Sequence, residues 1–264
     1  MQRRLTMYRE KLAVRPFAWR RLLKSISFAI LMMCPCVVIL ANEGSSPPPA
    51  KSESVRDEKA SPPSPHKWRD LFDGKTLKGW KAPKFGGEGE VRIQDGCIVM
   101  ERGDPMTGIA WEGEFPKINY EVEFVAKRTD GIDFFATVTF PVGDTFCSFV
   151  TGGWGGSVIG LSSINFNDAS DNETTQFMVF KDNQWYKFRV RVTKVKIEVW
   201  VDDKKVVDFI IGYHRISTRY EVDLCKPFGF SSWCSTGVIR SVRLRELTPE
   251  EIKAIEEEAE KTRP

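Results

Sequence analysis

Three groups of side chains have the types and spacing to do chemistry. The first is a lone carboxylate, Asp133, between Ile132 and Phe134-Phe135 in the segment Gly131–Phe140, which reads as a central strand. Apolar surroundings disfavour the ionised form and raise a carboxyl pKa unless it is paired, so Asp133 is the candidate general base. An Asp at a strand start also bonds neighbouring turns, and the sequence leaves both uses open. The second group is Asn165, Asn167, Asp168, Asp171, Asn172 and Glu173. These are hard oxygen donors suited to Ca²⁺ or to a polyhydroxyl ligand, though their spacing is not that of an EF-hand. Asp168, Asp171 and Glu173 are the candidate metal ligands, and Asn165 and Asn172 the candidate ligand contacts; a solvated loop is the alternative. The third group is Trp154, Trp185, Trp200 and Trp233 with Arg189, Arg191 and His214. An indole offers a flat face and one N–H donor, and a guanidinium offers a planar fork of donors. Trp154, Trp200, Arg191 and His214 are the binding candidates. Trp200 shares a strand face with Glu198, opposite the apolar residues, and is expected to be exposed. With only 2 histidines in the chain, a His-based triad or a multi-His zinc site is excluded.

The segment that must position these groups is Thr151–Phe180, TGGWGGSVIGLSSINFNDASDNETTQFMVF, in which four glycines bracket Trp154. A polar loop of this length between apolar strands is uncommon and often functional. On both sides the sequence alternates with period two. Tyr120, Val122 and Phe124 oppose Asn119, Glu121 and Glu123, and Phe188, Val190 and Val192 oppose Lys187, Arg189 and Arg191. Such alternation is what a half-buried antiparallel strand requires. Val91–Met100 reads as a hairpin turning at Asp95-Gly96. About a dozen short strands without long helical patterns predict an all-β sandwich or jelly roll over residues 66–247. Thr248-Pro249-Glu250-Glu251 is a capping box, which predicts a charged surface helix over residues 248–264, ending near Lys261.

The chain has 264 residues, 41% apolar and 12% aromatic, with a net charge of +3, and no basic patch with interleaved aromatics that would suit nucleic acid. Met1–Lys24 is basic and Ser25–Ala41 apolar and uncharged, which reads as a signal peptide or signal anchor over residues 1–41. Residues 42–65 form a Pro/Ser-rich spacer too poor in apolar residues to fold. The expected location is secreted, periplasmic or cell envelope, with the N-terminus as a possible tether to membrane or wall. Of the cysteines beyond the leader, Cys225 and Cys234 are nearest in sequence and the expected disulfide.

At Leu71–Trp80, LFDGKTLKGW, the chain resembles the opening signature of the 3-keto-disaccharide hydrolase family. The resemblance continues through the Asp95-Gly96 hairpin, the Tyr120–Phe124 strand, the segment Asn183–Val201 and the closing SVRLREL, and covers Trp68–Leu247. It implies a concanavalin A-like jelly-roll sandwich of two antiparallel sheets acting on sugars oxidised at C3. The ketone acidifies the C2–H, so a base can remove that proton while the C1 substituent leaves, with a cation or metal stabilising the enolate. The chain departs from the family pattern where Thr129–Phe134 keeps only GI of a GNSGI turn, and where Thr151–Phe180 replaces a Tyr-Glu-x-Gln strand. Two functions therefore stand: a hydrolase or lyase of 3-keto-glycosides, and a non-catalytic glycan-binding or cell-envelope interaction module. Either way the expected partner is carbohydrate.

Overall fold

The structure, a computed structural model, describes residues 66–262, so the leader and spacer lie outside the described residues. Its strands are β1 (Arg69–Asp70), β2 (Trp80–Lys81), β3 (Val91–Gln94), β4 (Cys97–Met100), β5 (Met106–Trp111), β6 (Tyr120–Gly131), β7 (Thr137–Val142) and β8 (Thr145–Gly152). They continue as β9 (Val158–Ser162), β10 (Gln176–Phe177), β11 (Tyr186–Val192), β12 (Lys196–Val201), β13 (Lys204–Ile210), β14 (Gly229–Trp233) and β15 (Ser235–Glu246). An 8-stranded sheet runs β13-β12-β11-β6-β15-β4-β3 with β1 on β15, and a 7-stranded sheet runs β10-β9-β8-β7-β14-β5-β2. Both are antiparallel, and together they form the concanavalin A-like jelly-roll sandwich. No described helix is long and apolar enough to cross a membrane.

Alternation sets the faces. Tyr120, Val122 and Phe124 of β6 are fully buried, and Phe124 stacks on Phe188 of β11 with ring centroids 4.8 Å apart. Phe230 of β14 meets Phe124 edge-on across the two sheets, also at 4.8 Å. The hairpin predicted at Asp95-Gly96 is present, with both residues at positive φ (51° and 72°) as a type I′ turn demands. In the signature LFDGKTLKGW, Asp73 Oδ1 accepts from the amides of Thr76 (2.7 Å) and Lys75 (2.8 Å). These bonds, that of Thr76 foremost, hold its pKa down at about 2. Trp80 Nε1 donates to Leu71 O at 2.8 Å. The signature therefore builds a turn and a core anchor.

The outer face of the 8-stranded sheet carries a charge ladder. Glu198, Arg191, Glu121 and Arg245 lie in register across β12, β11, β6 and β15. Glu121 and Glu198 are each 1% exposed, neutralised by arginine and lysine neighbours. The C-terminal helix, α1 (Pro249–Thr262), has the predicted box: Thr248 N donates to Glu251 Oε2 at 2.9 Å and Glu251 N to Thr248 Oγ1 at 3.3 Å. It is docked by more than charge, because Ile255 and Ala259 are buried while Glu258 meets Lys196 and Glu251 meets Arg245.

Three expectations are corrected. Cys97, Cys147, Cys225 and Cys234 are all free thiols, so Cys225–Cys234 is not a disulfide. Cys225 is fully buried, with Sγ 3.4 Å from Phe230 O, and burial pushes its pKa up to about 12. Trp200 is 8% exposed, because the Arg189 guanidinium lies 3.9 Å from its ring centroid, with Arg191 and Lys205 beside it. Parity put Trp200 on the outer face, but long cationic side chains cover it there. Finally, Gly131–Phe140 is not one strand. Gly131 ends β6 in one sheet and Thr137 opens β7 in the other, and Asp133 sits in the crossing between them.

Candidate functional site

The crossing and the glycine-rich turn are tied together by Asp133. Ser235 Oγ accepts from Asp133 N at 3.0 Å and donates to Asp133 O at 3.1 Å, fixing the backbone. The carboxylate then accepts from two amides, Oδ1 from Phe134 N and Oδ2 from Gly155 N, both at 2.8 Å. The second of these bonds reaches the Gly152–Gly156 turn, where Gly152, Trp154, Gly155 and Gly156 all have positive φ. Glycine suits such a turn, and at Gly156 a β-carbon would lie 2.4 Å from Ile132 O. Trp154 is the exception, held at φ 50° and ψ 51° with 45% of its surface exposed. A left-handed backbone is unfavourable for a tryptophan, and the indole it carries lines the cavity described next.

Asp133, Phe134, Trp154 and Trp233 form one wall of a cavity of about 240 Å³. Its floor is Thr137, Ser148, Val150 and Ser162, residues whose strand neighbours Val138, Phe149 and Leu161 face the core. Register aligns Ser162 with Ser148 and Ser148 with Thr139, whose hydroxyls are 2.9 Å apart in the latter pair. The opposite wall is Arg219, Glu221 and Val222, at the start of a 3-10 helix, Tyr220–Cys225. Arg219 reaches Asp168 Oδ2 through Nη1 at 2.6 Å and holds both Glu221 oxygens, with Nη2 2.6 Å and Nε 3.2 Å away. The Glu221 bond, more than the Asp168 one, raises the Arg219 pKa, so the cation persists at any working pH. Indole, hydroxyl and guanidinium groups and two carboxylates therefore line one cleft.

The other predicted residues divide. Asp168 joins the cleft indirectly, through Arg219, while its Oδ1 accepts from Ser170 Oγ at 2.6 Å. Asn172 is structural: Nδ2 donates to Leu161 O (2.8 Å) and Asp168 O (2.7 Å), and Oδ1 accepts from Thr174 N and Oγ1. Asn165 accepts from Arg215 N at 2.9 Å and lies 2.9 Å from His214 Nδ1, which is 3.4 Å from Glu173. These contacts join the polar loop to the segment after β13. Asp171 is exposed, and among the described residues no three His, Cys, Asp or Glu side chains gather as a metal site. Arg191 and Trp200 are on the other sheet, with Arg191 Nε donating to Glu198 at 2.7 Å.

Sequence reasoning missed Arg219, Glu221 and the hydroxyl floor. The floor had a signal, since Thr137, Ser148 and Ser162 stand at the alternate positions of otherwise apolar strands. Arg219 had none, and Glu221 had only the loose likeness of Tyr220-Glu221-Val222-Asp223 to the Tyr-Glu-x-Gln pattern, late in the chain; the fold alone brings both across the sheet.

No curated protein matches the chain in sequence. Three solved structures align with it at low identity. The Crh5 transglycosylase in complex with NAG is 13% identical, covering 71% of this chain and 86% of its own, with a TM-score of 0.49. The carbohydrate recognition domain of Emp46p is 10% identical, covering 65% of this chain and 90% of its own, with a TM-score of 0.45. The carbohydrate-binding module CBM66 from Bacillus subtilis is 14% identical, covering 64% and 96%, with a TM-score of 0.42. Likeness of that degree says nothing about this cleft. Residues 67–245 match the 3-keto-alpha-glucoside-1,2-lyase-like domain, and the chain belongs to that family.

Proposed function

We propose that the cleft binds a 3-keto-glycoside and cleaves it by elimination across C1 and C2, with Asp133 as the base. The observation that carries the reading is the meeting of Asp133, Trp154 and the Arg219–Glu221 pair around one cavity of about 240 Å³ floored by hydroxyls. Asp133 takes the C2 proton, the C1–O bond breaks, and a C1=C2 double bond conjugated with the ketone forms; the departing oxygen takes a proton. Arg219 stabilises the negative charge that develops on the ketone oxygen. Each Asp133 oxygen accepts one amide, which leaves it a second lone pair for the proton. Hydration of the unsaturated product completes a hydrolysis. The basic and apolar leader supports export, so the substrate would be met outside the cytoplasm.

One observation favours a second reading. Both Asp133 oxygens are already held by backbone amides that shape the Trp154 turn, as expected of a purely structural carboxylate in a glycan-binding module. Turnover separates the two. Protein mixed with 3-keto-trehalose should release glucose, and Asp133→Asn should cut the rate by about 10²–10⁴ while binding survives. Binding without turnover on any keto-sugar would assign the module reading. An effect of EDTA on turnover would bring back Asp168, Asp171 and Glu173 as metal ligands.

A further inference from the structure

The molecule has a second hollow, of about 520 Å³, on the outer face of the 8-stranded sheet and remote from the cleft by topology. It is lined by Lys67, Trp68, Arg189 and Arg243, with Glu121 and Glu123 between them. Glu121 is claimed from within through both oxygens and Glu123 through one. Glu121 is 1% exposed, its Oε1 held by Arg189 and its Oε2 by Arg245, and Glu123 Oε1 is held twice by Arg243, at 2.9 and 2.7 Å. The donors are not. Among the described residues, Arg189 makes one side-chain hydrogen bond, Nη1 to Glu121 at 3.3 Å, so its Nε and Nη2 remain unpaired. Arg243 uses Nε and Nη2 on Glu123 and keeps Nη1 free. Trp68 lies against the Arg243 guanidinium, 4.6 Å from its ring centroid. Neither Trp68 Nε1 nor Lys67 Nζ is bonded within the described residues.

Among the described residues of the lining, only Glu123 Oε2 is an open carboxylate acceptor, against open donors on Lys67, Trp68, Arg189 and Arg243, and that balance selects a ligand rich in acceptors and negative charge. Guanidinium groups pair with planar or tetrahedral oxyanions. Trp68 is the sole apolar side chain of the lining, too little to seat an acyl chain or a hydrophobic peptide, whereas dispersed donors suit many hydroxyls. We propose that this hollow is a second binding site, for an acidic saccharide carrying carboxylate or sulfate groups. It stands independently of the catalytic reading of the cleft.

The test uses the full chain and three polymers: polygalacturonate, dextran sulfate and neutral dextran. Both acidic polymers, or the one whose anion fits, should bind with an affinity that falls as salt rises, and neutral dextran should not bind at this face. Lys67→Gln with Arg243→Gln should weaken that binding by at least about tenfold and leave cleft turnover unchanged. Arg243→Lys keeps the Glu123 pair and should weaken binding less, which guards against a folding defect in the double variant. Equal binding of neutral and acidic polymers would overturn the proposal. So would loss of binding in Arg219→Gln but not in the double variant, or capture of phosphatidylglycerol vesicles with no polysaccharide bound.

Discussion

Replacing Trp154 separately by glycine and by alanine distinguishes the strain in its backbone from the work of its indole. The residue holds φ 50° and ψ 51° with 45% of its surface exposed, so either change loses a similar, modest amount of buried surface. That loss cancels when the two variants are compared. Alanine keeps the β-carbon that makes a left-handed backbone unfavourable by about 1–2 kcal/mol. Glycine removes that term but widens the unfolded ensemble, which takes back about 0.5–1 kcal/mol. The glycine variant should therefore be the more stable by about 0.5–1 kcal/mol, read from urea midpoints followed by far-UV circular dichroism. Both should bind the keto-sugar at least about tenfold more weakly than the parent, because both lack the ring that walls the cavity. An alanine variant as stable as the glycine one would show that residue 154 is not left-handed in solution. Unchanged affinity in both would remove the indole from the binding wall.

Further outcomes follow from the buried groups. Burial raises the Cys147 and Cys225 pKa values from 9.0 to about 12, so the folded state keeps both thiols protonated where the unfolded chain would ionise them. That stability is fully present below pH 9 and is lost as pH rises toward 12, at up to about 1.4 kcal/mol per pH unit for each thiol; urea midpoints across that range should fall, and less steeply with both cysteines replaced by alanine. Mass mapping of unreduced protein should find no Cys225–Cys234 bridge. Glu121→Ala leaves Arg189 and Arg245 facing a vacated site and should lower stability by about 3–5 kcal/mol, seen as a drop in Tm, and an unchanged Tm would contradict the ladder's role.

Much of the sandwich was legible because strand faces follow period two, and the residues of β6 and β11 obey it at each position named. The Asp95-Gly96 turn and the Thr248–Glu251 box were legible for a related reason: their geometry depends on residues within a few positions. Asp133 was found as a candidate base for an incomplete reason. Its apolar neighbours suggested a strand interior, whereas Ile132–Ala136 carries the chain from one sheet to the other, and that crossing is what brings Asp133 to the Trp154 turn. Trp200 shows the limit of parity, which assigns a face but not what covers it; Arg189, Arg191 and Lys205 do so through long-range register. Arg219 and Glu221 were not legible as site residues, although Tyr220-Glu221-Val222-Asp223 has a loose likeness to the Tyr-Glu-x-Gln pattern. Their place depends on a 3-10 helix laid over a sheet whose strands are far away in sequence, and no local pattern encodes that meeting. The Cys225–Cys234 pairing failed likewise, since Cys225 turns beneath that helix into the protein.

Proton exchange at C2 tests the central claim most directly. In D₂O, a 3-keto-sugar with no aglycone to expel, such as 1,5-anhydro-3-keto-glucitol, in which C1 bears only the ring oxygen, should lose its C2 proton signal in ¹H NMR when the protein is added. The rate should fall by about 10²–10⁴ in Asp133→Asn, because the amide cannot take the proton. Bound sugar whose C2 proton exchanges no faster than in buffer, or exchange undiminished in Asp133→Asn, would contradict the assignment of this cleft as a site of proton abstraction by Asp133.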